Sequence, residues 1–386
     1  MSTQTSLDTV TYSGSKPLID LKNIRKKKVN LAIFGHGNVG GKLIDQIVGT
    51  KEEISKRRDL DITIFAIANS SSLLLQKEGV DSNWRQTKNR QGGSYTLEKI
   101  WTYAKNNNLE NLVAVDNTAS NDFVLNYTTL IANGFNLISS NKIGNTIGLD
   151  FYTSLREQLA ENKKEYLYET NVGAGLPLID TIKLLHLSGE NITRIKGVFS
   201  GSLSYLFNNF SGGDLPFSEV LLKAIEKGFT EPDPREDLCG NDVGRKLLIL
   251  ARELDLHNEF LDVKIQNLIP KHLQNVTKED FLQNLHELDT VYEQKEKAQL
   301  DNHVLRYVGE LHGDLSKNDG AILEVNLVSV AQNSMLGQVS GSDSIFEIYT
   351  ENYRENPIVI QGAGAGATVT ARGVFGDILR LSDKLN

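Results

Sequence analysis

The sequence has a single cysteine, Cys239, so no disulfide can form within the chain, and a reducing, cytoplasmic setting is the simplest expectation. It has no apolar run of the roughly 18 to 20 residues that a membrane-spanning helix needs. Positive charge is in deficit: 41 Lys and Arg against 49 Asp and Glu give a net charge of −8. That balance argues against nucleic acid or an anionic membrane surface as a partner. The first residues also lack an apolar segment, since Ser, Thr and Asp lead into Arg25-Lys26-Lys27-Lys28. Residues 1–27 therefore read as a polar tail and not as a secretory signal. No internal repeat or low-complexity tract is present. The chain that is left, 386 residues with 39% hydrophobic and 23% charged, is long enough for two or three globular domains.

Residues 29–34 form a short apolar run that ends in a glycine cluster, and Leu43, Ile44, Ile47 and Val48 then recur at helical spacing. This predicts strand, turn and helix. Further strands are expected at 62–68, 112–115 and 135–138, with helix between them, as at 123–132. Such alternation predicts a parallel sheet with connecting helices. The texture changes after about residue 165. A strand is expected at 166–170, helices at 178–187, 217–227 and 242–253, and a polar surface stretch at 272–302. Strands return at 321–330, 344–349 and 357–360, and a final helix is expected at 369–381.

Gly35-His36-Gly37-Asn38-Val39-Gly40 joins the first strand to the first helix. In such a loop the first glycine permits a tight turn, the second admits a pyrophosphate against the backbone, and the third lets helix and strand pack closely. The phosphates then meet free N–H groups at a helix N-terminus. His36 reads as a loop position in this cofactor segment and not as a base. The second strand ends Ala68-Asn69-Ser70-Ser71, with no carboxylate to bind ribose hydroxyls or to repel a 2′-phosphate. No arginine follows directly to clamp that phosphate, so NAD and NADP both stay open.

The densest polar segment runs from Thr230 to Lys246. Pro232 and Pro234 predict a rigid, extended loop over 231–237, followed by a helix starting near Asn241 or Asp242. Asp242 and Lys246 then share one helical face. The pair can orient and relay a proton, or it can be a solvated salt bridge worth about 0.3–0.5 kcal/mol. Lys142 follows the strand at 135–138, and Asn117 and Thr118 follow the strand at 112–115. Both lie beyond the carboxyl ends of strands, where open α/β sheets bind their ligands.

Together these segments resemble homoserine dehydrogenase. The matching stretches are 34–40, 115–118, 141–142, 169–177, 199–205, 228–246 and 361–377, in order from about residue 28 to the C-terminus. The chain is most similar to the dehydrogenase half of bifunctional aspartokinase–homoserine dehydrogenases, with no kinase-like segment before it. The resemblance implies an α/β fold: a Rossmann-type NAD(P)-binding domain at 28–166 joined by 361–386, and an α+β substrate-binding and dimerisation domain at 167–360. It implies interconversion of aspartate semialdehyde and homoserine, a small amino-acid substrate and a homodimer. Lys246, Asp242 and Lys142 match catalytic positions; Glu231, Asp237 and Gly175 match substrate positions. Gly35, His36, Gly37, Asn38, Val39, Gly40, Asn117, Thr118, Lys142 and Gly366 match the cofactor site. Glu169, Val172, Ala174 and Leu176 match positions that hold a sodium or potassium ion, largely through backbone carbonyls. A glycine turn that only packs a helix is the other reading of that segment.

Two departures stand out. The family often has Asn-Lys-Lys-Ala-Asn-Thr where this chain has Asn141-Lys142-Ile143-Gly144-Asn145-Thr146, and Ser71 falls where relatives often carry a basic residue near the NADP phosphate. No segment resembles an amino-acid-sensing regulatory domain. Of the rival readings, a phosphorylating semialdehyde dehydrogenase needs a thiolate, and Cys239 is its one candidate. A catalytically silent nucleotide-binding sensor would keep the glycines and lose Lys142, Glu231, Asp237, Asp242 and Lys246.

Overall fold

The computed structural model describes residues 26–385, so the polar tail lies almost wholly outside the described residues. Two sheets organise the chain. The first has seven strands in the order β4-β3-β2-β1-β5-β6-β7: β1 (Lys27–Phe34), β2 (Leu60–Ala68), β3 (Ser72–Leu75), β4 (Gly93–Ser94), β5 (Leu112–Asp116), β6 (Asn136–Ser139) and β7 (Tyr166–Leu167). The core pairings β2-β1-β5-β6-β7 are parallel, while β3 and β4 are antiparallel additions at one edge.

Register decides where the site forms. Phe34 pairs with both Ala68 and Asp116, and Asp116 pairs with Ser139. The residues that follow, Gly35, Asn69, Asn117 and Ser140, therefore lie in one row beyond the carboxyl ends. The chain order reverses across β1, which makes this row a crevice. Successive residues of β1 alternate between two apolar layers. Leu31 and Ile33 pack under helix α1 (Asn38–Arg58), while Ala32 and Phe34 join the large core on the opposite face.

The last helix, which ends the described chain at Ala367–Lys384, returns to this first sheet. Its Ala371, Val374, Phe375, Ile378 and Leu381 pack with Leu43, Ile44 and Ile47 of α1. Burying each large apolar side chain of this kind contributes about 1.5–3 kcal/mol, so the terminal helix is a fixed part of the helical layer on the first sheet.

The second sheet runs β13-β12-β8-β10-β11-β9, with β8 (Ile192–Val198), β9 (Lys264–Ile265), β10 (His303–Gly313), β11 (Ala321–Ala331), β12 (Asp343–Thr350) and β13 (Ile358–Ala363). It is antiparallel apart from the β9–β11 edge. Leu203, Leu206, Val243 and Leu247, on the helices Gly201–Phe210 and Asn241–Arg252, share one core with its Leu311, Leu323, Phe346 and Ile348. We name these helices α3 and α4, with α2 for Ile179–Leu187 before them and α5 for the terminal helix.

Several sequence expectations are corrected. The strand expected at 166–170 stops at Leu167, and Glu169–Asn171 is a single 3-10 turn. The helix expected at 123–132 is two short helices, Asn121–Val124 and Tyr127–Ala132. Residues 231–237 are not extended throughout: Pro234 adopts helical angles (φ −64°, ψ −12°) and caps a short helix, Arg235–Leu238. Proline excludes a helix only from its interior; at the first turn its missing N–H costs nothing.

Candidate active site

A cleft of about 550 Å3 lies between the carboxyl ends of the first sheet and helices α3 and α4, within the size range of small-molecule sites. Asn38 and Val39 reach it from the start of α1, Ser140 and Lys142 from the loop after β6, and Glu231, Glu236, Asp237, Asp242 and Lys246 from the 230–246 segment. Gly364 to Ala367 close it from the C-terminal side. Its lining thus holds two lysines and four carboxylates, an excess of negative charge that suits a ligand carrying an ammonium group.

Asp242 is the hub. Its Oδ2 lies 2.8 Å from Lys246 Nζ, and its Oδ1 lies 3.3 Å from Lys142 Nζ. Burial alone would raise the Asp242 pKa, but the two ammonium groups outweigh it and hold the carboxyl well below the usual range. Lys246 is buried, 8% exposed, and also donates to the Phe199 carbonyl at 2.7 Å. Three N–H bonds are available on the ammonium. Two are spent on Phe199 and Asp242, which leaves one for the cleft.

The carboxylate wall behaves oppositely. Asp237 accepts from Ser202 Oγ at 2.6 Å and from the Glu231 amide at 2.8 Å. Burial nonetheless raises its pKa, with help from the nearby Asp242 and Glu236 charges. Glu231 is raised by burial and by Asp237, Glu236 and Asp242, with Lys142 opposing. Cys239 donates to the Glu236 carbonyl at 3.2 Å, and burial together with the Asp237 and Glu236 charges pushes its thiol up despite the Asn241 amide, the opposite of what a reactive thiolate needs.

The glycine loop is built as its spacing predicts. Gly35 has φ +79°, and a Cβ there would lie 2.8 Å from the Asn117 carbonyl. A Cβ on Gly40 would lie 1.9 Å from the Gly35 carbonyl, whereas one on Gly37 would meet nothing within 4 Å. Gly37 thus faces open space at the start of α1, the place a pyrophosphate takes in this kind of loop. Buried and without a partner among the described residues, Asn117 Nδ2 lies on the same row. Thr118 lies beside Gly35, Asn69 and Tyr95 in a second pocket of about 290 Å3 at the end of β2. His36 is half-buried, and its pKa is lowered by burial first and by the Lys88 and Arg85 charges after it.

Not every position converges. Gly175 packs against Val369, where a Cβ would lie 2.9 Å from the carbonyl, and it does not face the cleft. The Glu169 carboxylate is fully engaged: it accepts from the Ile179 and Asp180 amides at the start of α2 at 2.7 and 3.0 Å, and it pairs with Arg380 at 3.1 Å. Among the described residues no cluster of three His, Cys, Asp or Glu could hold a metal. Sequence reasoning missed Ser202, Thr170 and Phe229, which all line the cleft. Phe229 stacks on Tyr205 at 4.3 Å. Serine and threonine here carry no spacing signal, since what makes them site residues is the chain fold that brings 170, 202 and 237 together.

A family model described as homoserine dehydrogenase matches residues 177–379, and its NAD-binding domain matches residues 35–169. The chain belongs to the homoserine dehydrogenase family. These are NAD(P)-dependent oxidoreductases acting on CH–OH groups. A homoserine dehydrogenase of Schizosaccharomyces pombe is 34% identical over 93% of this chain and 97% of its own length. The bifunctional aspartokinase/homoserine dehydrogenase 1 of Arabidopsis thaliana is 40% identical over 91% of this chain, which spans only 38% of that protein. A crystal structure of a Candida auris protein of unknown function superimposes with a TM-score of 0.83 at 31% identity, covering 93% of this chain and 99% of its own. Among the described residues no helix is long and apolar enough to cross a membrane.

Proposed function

We propose that this protein interconverts L-aspartate 4-semialdehyde and L-homoserine, with the cleft at Asp242 as its active site. The observation that carries the assignment of roles is the pairing of Asp242 with both Lys246 and Lys142 in a cleft otherwise rich in carboxylate. A bound nicotinamide supplies or takes the hydride at the substrate carbon. Lys246, held by Asp242 and Phe199, moves the proton at the substrate oxygen. Lys142 adds a second positive charge where negative charge develops on that oxygen. Glu231 and Asp237 hold the substrate ammonium, and Ser202 fixes Asp237. We accordingly divide the chain into a nucleotide domain at 28–166 with 361–386 and a substrate domain at 167–360, with the cleft between them.

For the cofactor, Gly37 and the α1 N-terminus take the pyrophosphate, Asn117 and Gly366 flank it, and the pocket beside Asn69, Tyr95 and Thr118 takes the adenosine. Lys88 argues for NADP. It lies 6% exposed under the Asn69–Ser72 loop, bonds to Ser72 Oγ, and has no carboxylate partner among the described residues. Arg85, beside it, is paired with Asp45 at 2.8 Å. A lysine there supplies, from helix Trp84–Gln91, the positive charge that the sequence lacks directly after β2.

We place a sodium or potassium ion at the carbonyls of Glu169, Val172, Ala174 and Leu176, of which Glu169 and Leu176 also accept the Val172 and Leu178 amides at 3.4 and 2.9 Å. The Glu169 side chain is spent elsewhere, and the non-glycine Ala174 holds φ +53° beside Gly173 at φ +79°, a costly backbone state. The ion would brace the turn and take no part in proton movement. We place a homodimer contact on the side of the second sheet where the partly buried Val328 and Val330 lie against the small cluster of Val198, Val308, Leu336, Val339 and Ile345, in a cytoplasmic protein.

The test is the initial rate of reduced-nicotinamide formation with L-homoserine, run in parallel with NAD+ and NADP+. Turnover with either cofactor is expected. Silence with both, in folded protein that binds them, would overturn the reading in favour of a sensor.

A further inference from the structure

We infer that Arg252 is a positioning residue for this reaction, clamping the Lys142 loop in register with Asp242 and Lys246; the inference rests on the activity proposed above. Lys142 hangs from the first sheet and Asp242 starts a helix packed on the second. Their own ion pair cannot fix that relationship. Its side chains are 32% and 47% exposed, and exposed pairs contribute only about 0–1 kcal/mol.

A stronger link lies at the other end of α4. Arg252, 2% exposed, sends Nη1 to the carbonyls of Asn145 and Ile147 at 2.9 and 2.7 Å. These close the short helix Ile143–Thr146 that follows Lys142 directly, a helix too short to satisfy its own last carbonyls. Arg252 Nη2 pairs with Glu259 Oε2 at 3.0 Å, and Glu259 Oε1 accepts the Leu149 amide at 2.6 Å. One guanidinium fork thus holds, directly or through Glu259, three backbone groups between 145 and 149. From the nucleotide side, Asn145 bonds to Asn171 at 2.9 Å and Asn171 to the Ser139 carbonyl at 2.9 Å. The Lys142 helix is therefore pinned to β6 on one side and to α4 on the other. Because α4 carries Asp242, Lys246 and Arg252 on one rigid rod, the clamp transmits their spacing to Lys142. Planar fork geometry is what a lysine cannot reproduce.

The experiment compares wild type, Arg252→Lys and Glu259→Gln in kcat, KM for homoserine and for cofactor, the pH profile of kcat, and thermal midpoint. Displacement of a catalytic group by about 1 Å can cost on the order of 100-fold. Arg252→Lys is expected to lower kcat about 10- to 100-fold and to leave the cofactor KM and the acid limb of kcat unchanged, since Asp242 keeps Lys246 and stays ionised. Glu259→Gln should show the same pattern in weaker form, and it carries the test if Arg252→Lys does not fold. A lowered thermal midpoint with wild-type kcat would overturn the clamp and leave the activity intact. A silent wild type would overturn both.

Discussion

Lys142 follows a strand of the first sheet and Asp242 begins a helix packed on the second, yet their charges meet at 3.3 Å across the cleft. Lys246 reaches the other oxygen of the same carboxylate at 2.8 Å. One carboxylate thus orders two ammonium groups, and they differ in setting. Lys142 is partly solvated, while Lys246 is buried and tied to a backbone carbonyl. Because Lys246 is buried, anchored and one donor short of saturation, the proposed function gives it the proton and gives Lys142 the electrostatic role.

Lys246→Ala is therefore expected to lower kcat by about 100- to 10,000-fold, the usual span for a positioned acid–base group. Cofactor binding, measured by quenching of protein fluorescence, should stay near wild type, because Gly37 and the α1 N-terminus are untouched. Near-normal turnover in this variant would remove Lys246 from the mechanism.

Two glycines of the same loop should fail in different ways. Gly40→Ala would drive a methyl into the Gly35 carbonyl at 1.9 Å, and we expect it to destabilise the protein by about 1–3 kcal/mol or more. A Gly37→Ala methyl meets no protein atom within 4 Å, so the thermal midpoint should hold while the cofactor KM rises. If Gly37→Ala leaves that KM unchanged, the pyrophosphate does not lie over this position.

This contrast shows what the sequence makes legible. A glycine loop between strand and helix is a local pattern, and Asp242 with Lys246 is a local spacing, so both can be read from the chain. The alternation of strand and helix before residue 165 gives the parallel sheet for the same reason. Strands β8 and β10 went unread because the polar residues Arg194, Lys196, Arg306 and Glu310 interrupt their apolar pattern. Arg306 is tolerated in the interior there because five backbone carbonyls, those of Phe207, Leu305, Leu336, Gly337 and Val339, accept its donors. Ser202 and Lys88 could not be assigned for a related cause: each acquires its role from a partner brought in by the fold, not from a neighbour in sequence.

The pH dependence should carry the mark of the carboxylate wall. Glu231 and Asp237 must be ionised to hold an ammonium, and burial raises both. The acid limb of kcat/KM is thus expected above the ordinary carboxylate range, with Asp242 already ionised throughout it. Ser202→Ala removes a bond that favours the Asp237 carboxylate, so the limb should move to still higher pH. Stability runs the other way: raised carboxyl groups favour the fold while protonated, and that contribution is lost as pH rises through their folded pKa. Asp237→Asn should flatten this loss in a melting series across pH. An unmoved limb in Ser202→Ala would exclude Asp237 from substrate binding.

The proposed preference for NADP turns on Lys88. A hydrogen bond to a charged group is worth about 1.5–3 kcal/mol, so Lys88→Met should lower kcat/KM for NADP+ by about 10- to 100-fold and change the NAD+ value little. Methionine fits the buried space and needs no hydration, so the thermal midpoint should hold or rise; the lysine is held there against burial, which lowers its pKa. Neither Asn69 nor Ser71 can substitute for the missing charge, because both side chains are neutral; Asn69 Oδ1 instead accepts the Ser71 and Ser72 amides at 3.1 and 2.8 Å. Equal losses with both cofactors would mean that Lys88 supports the loop and not the phosphate. A fall confined to NADP+ would show that the discriminating charge comes from the helix at 84–91, where no reading of the residues directly after β2 could find it.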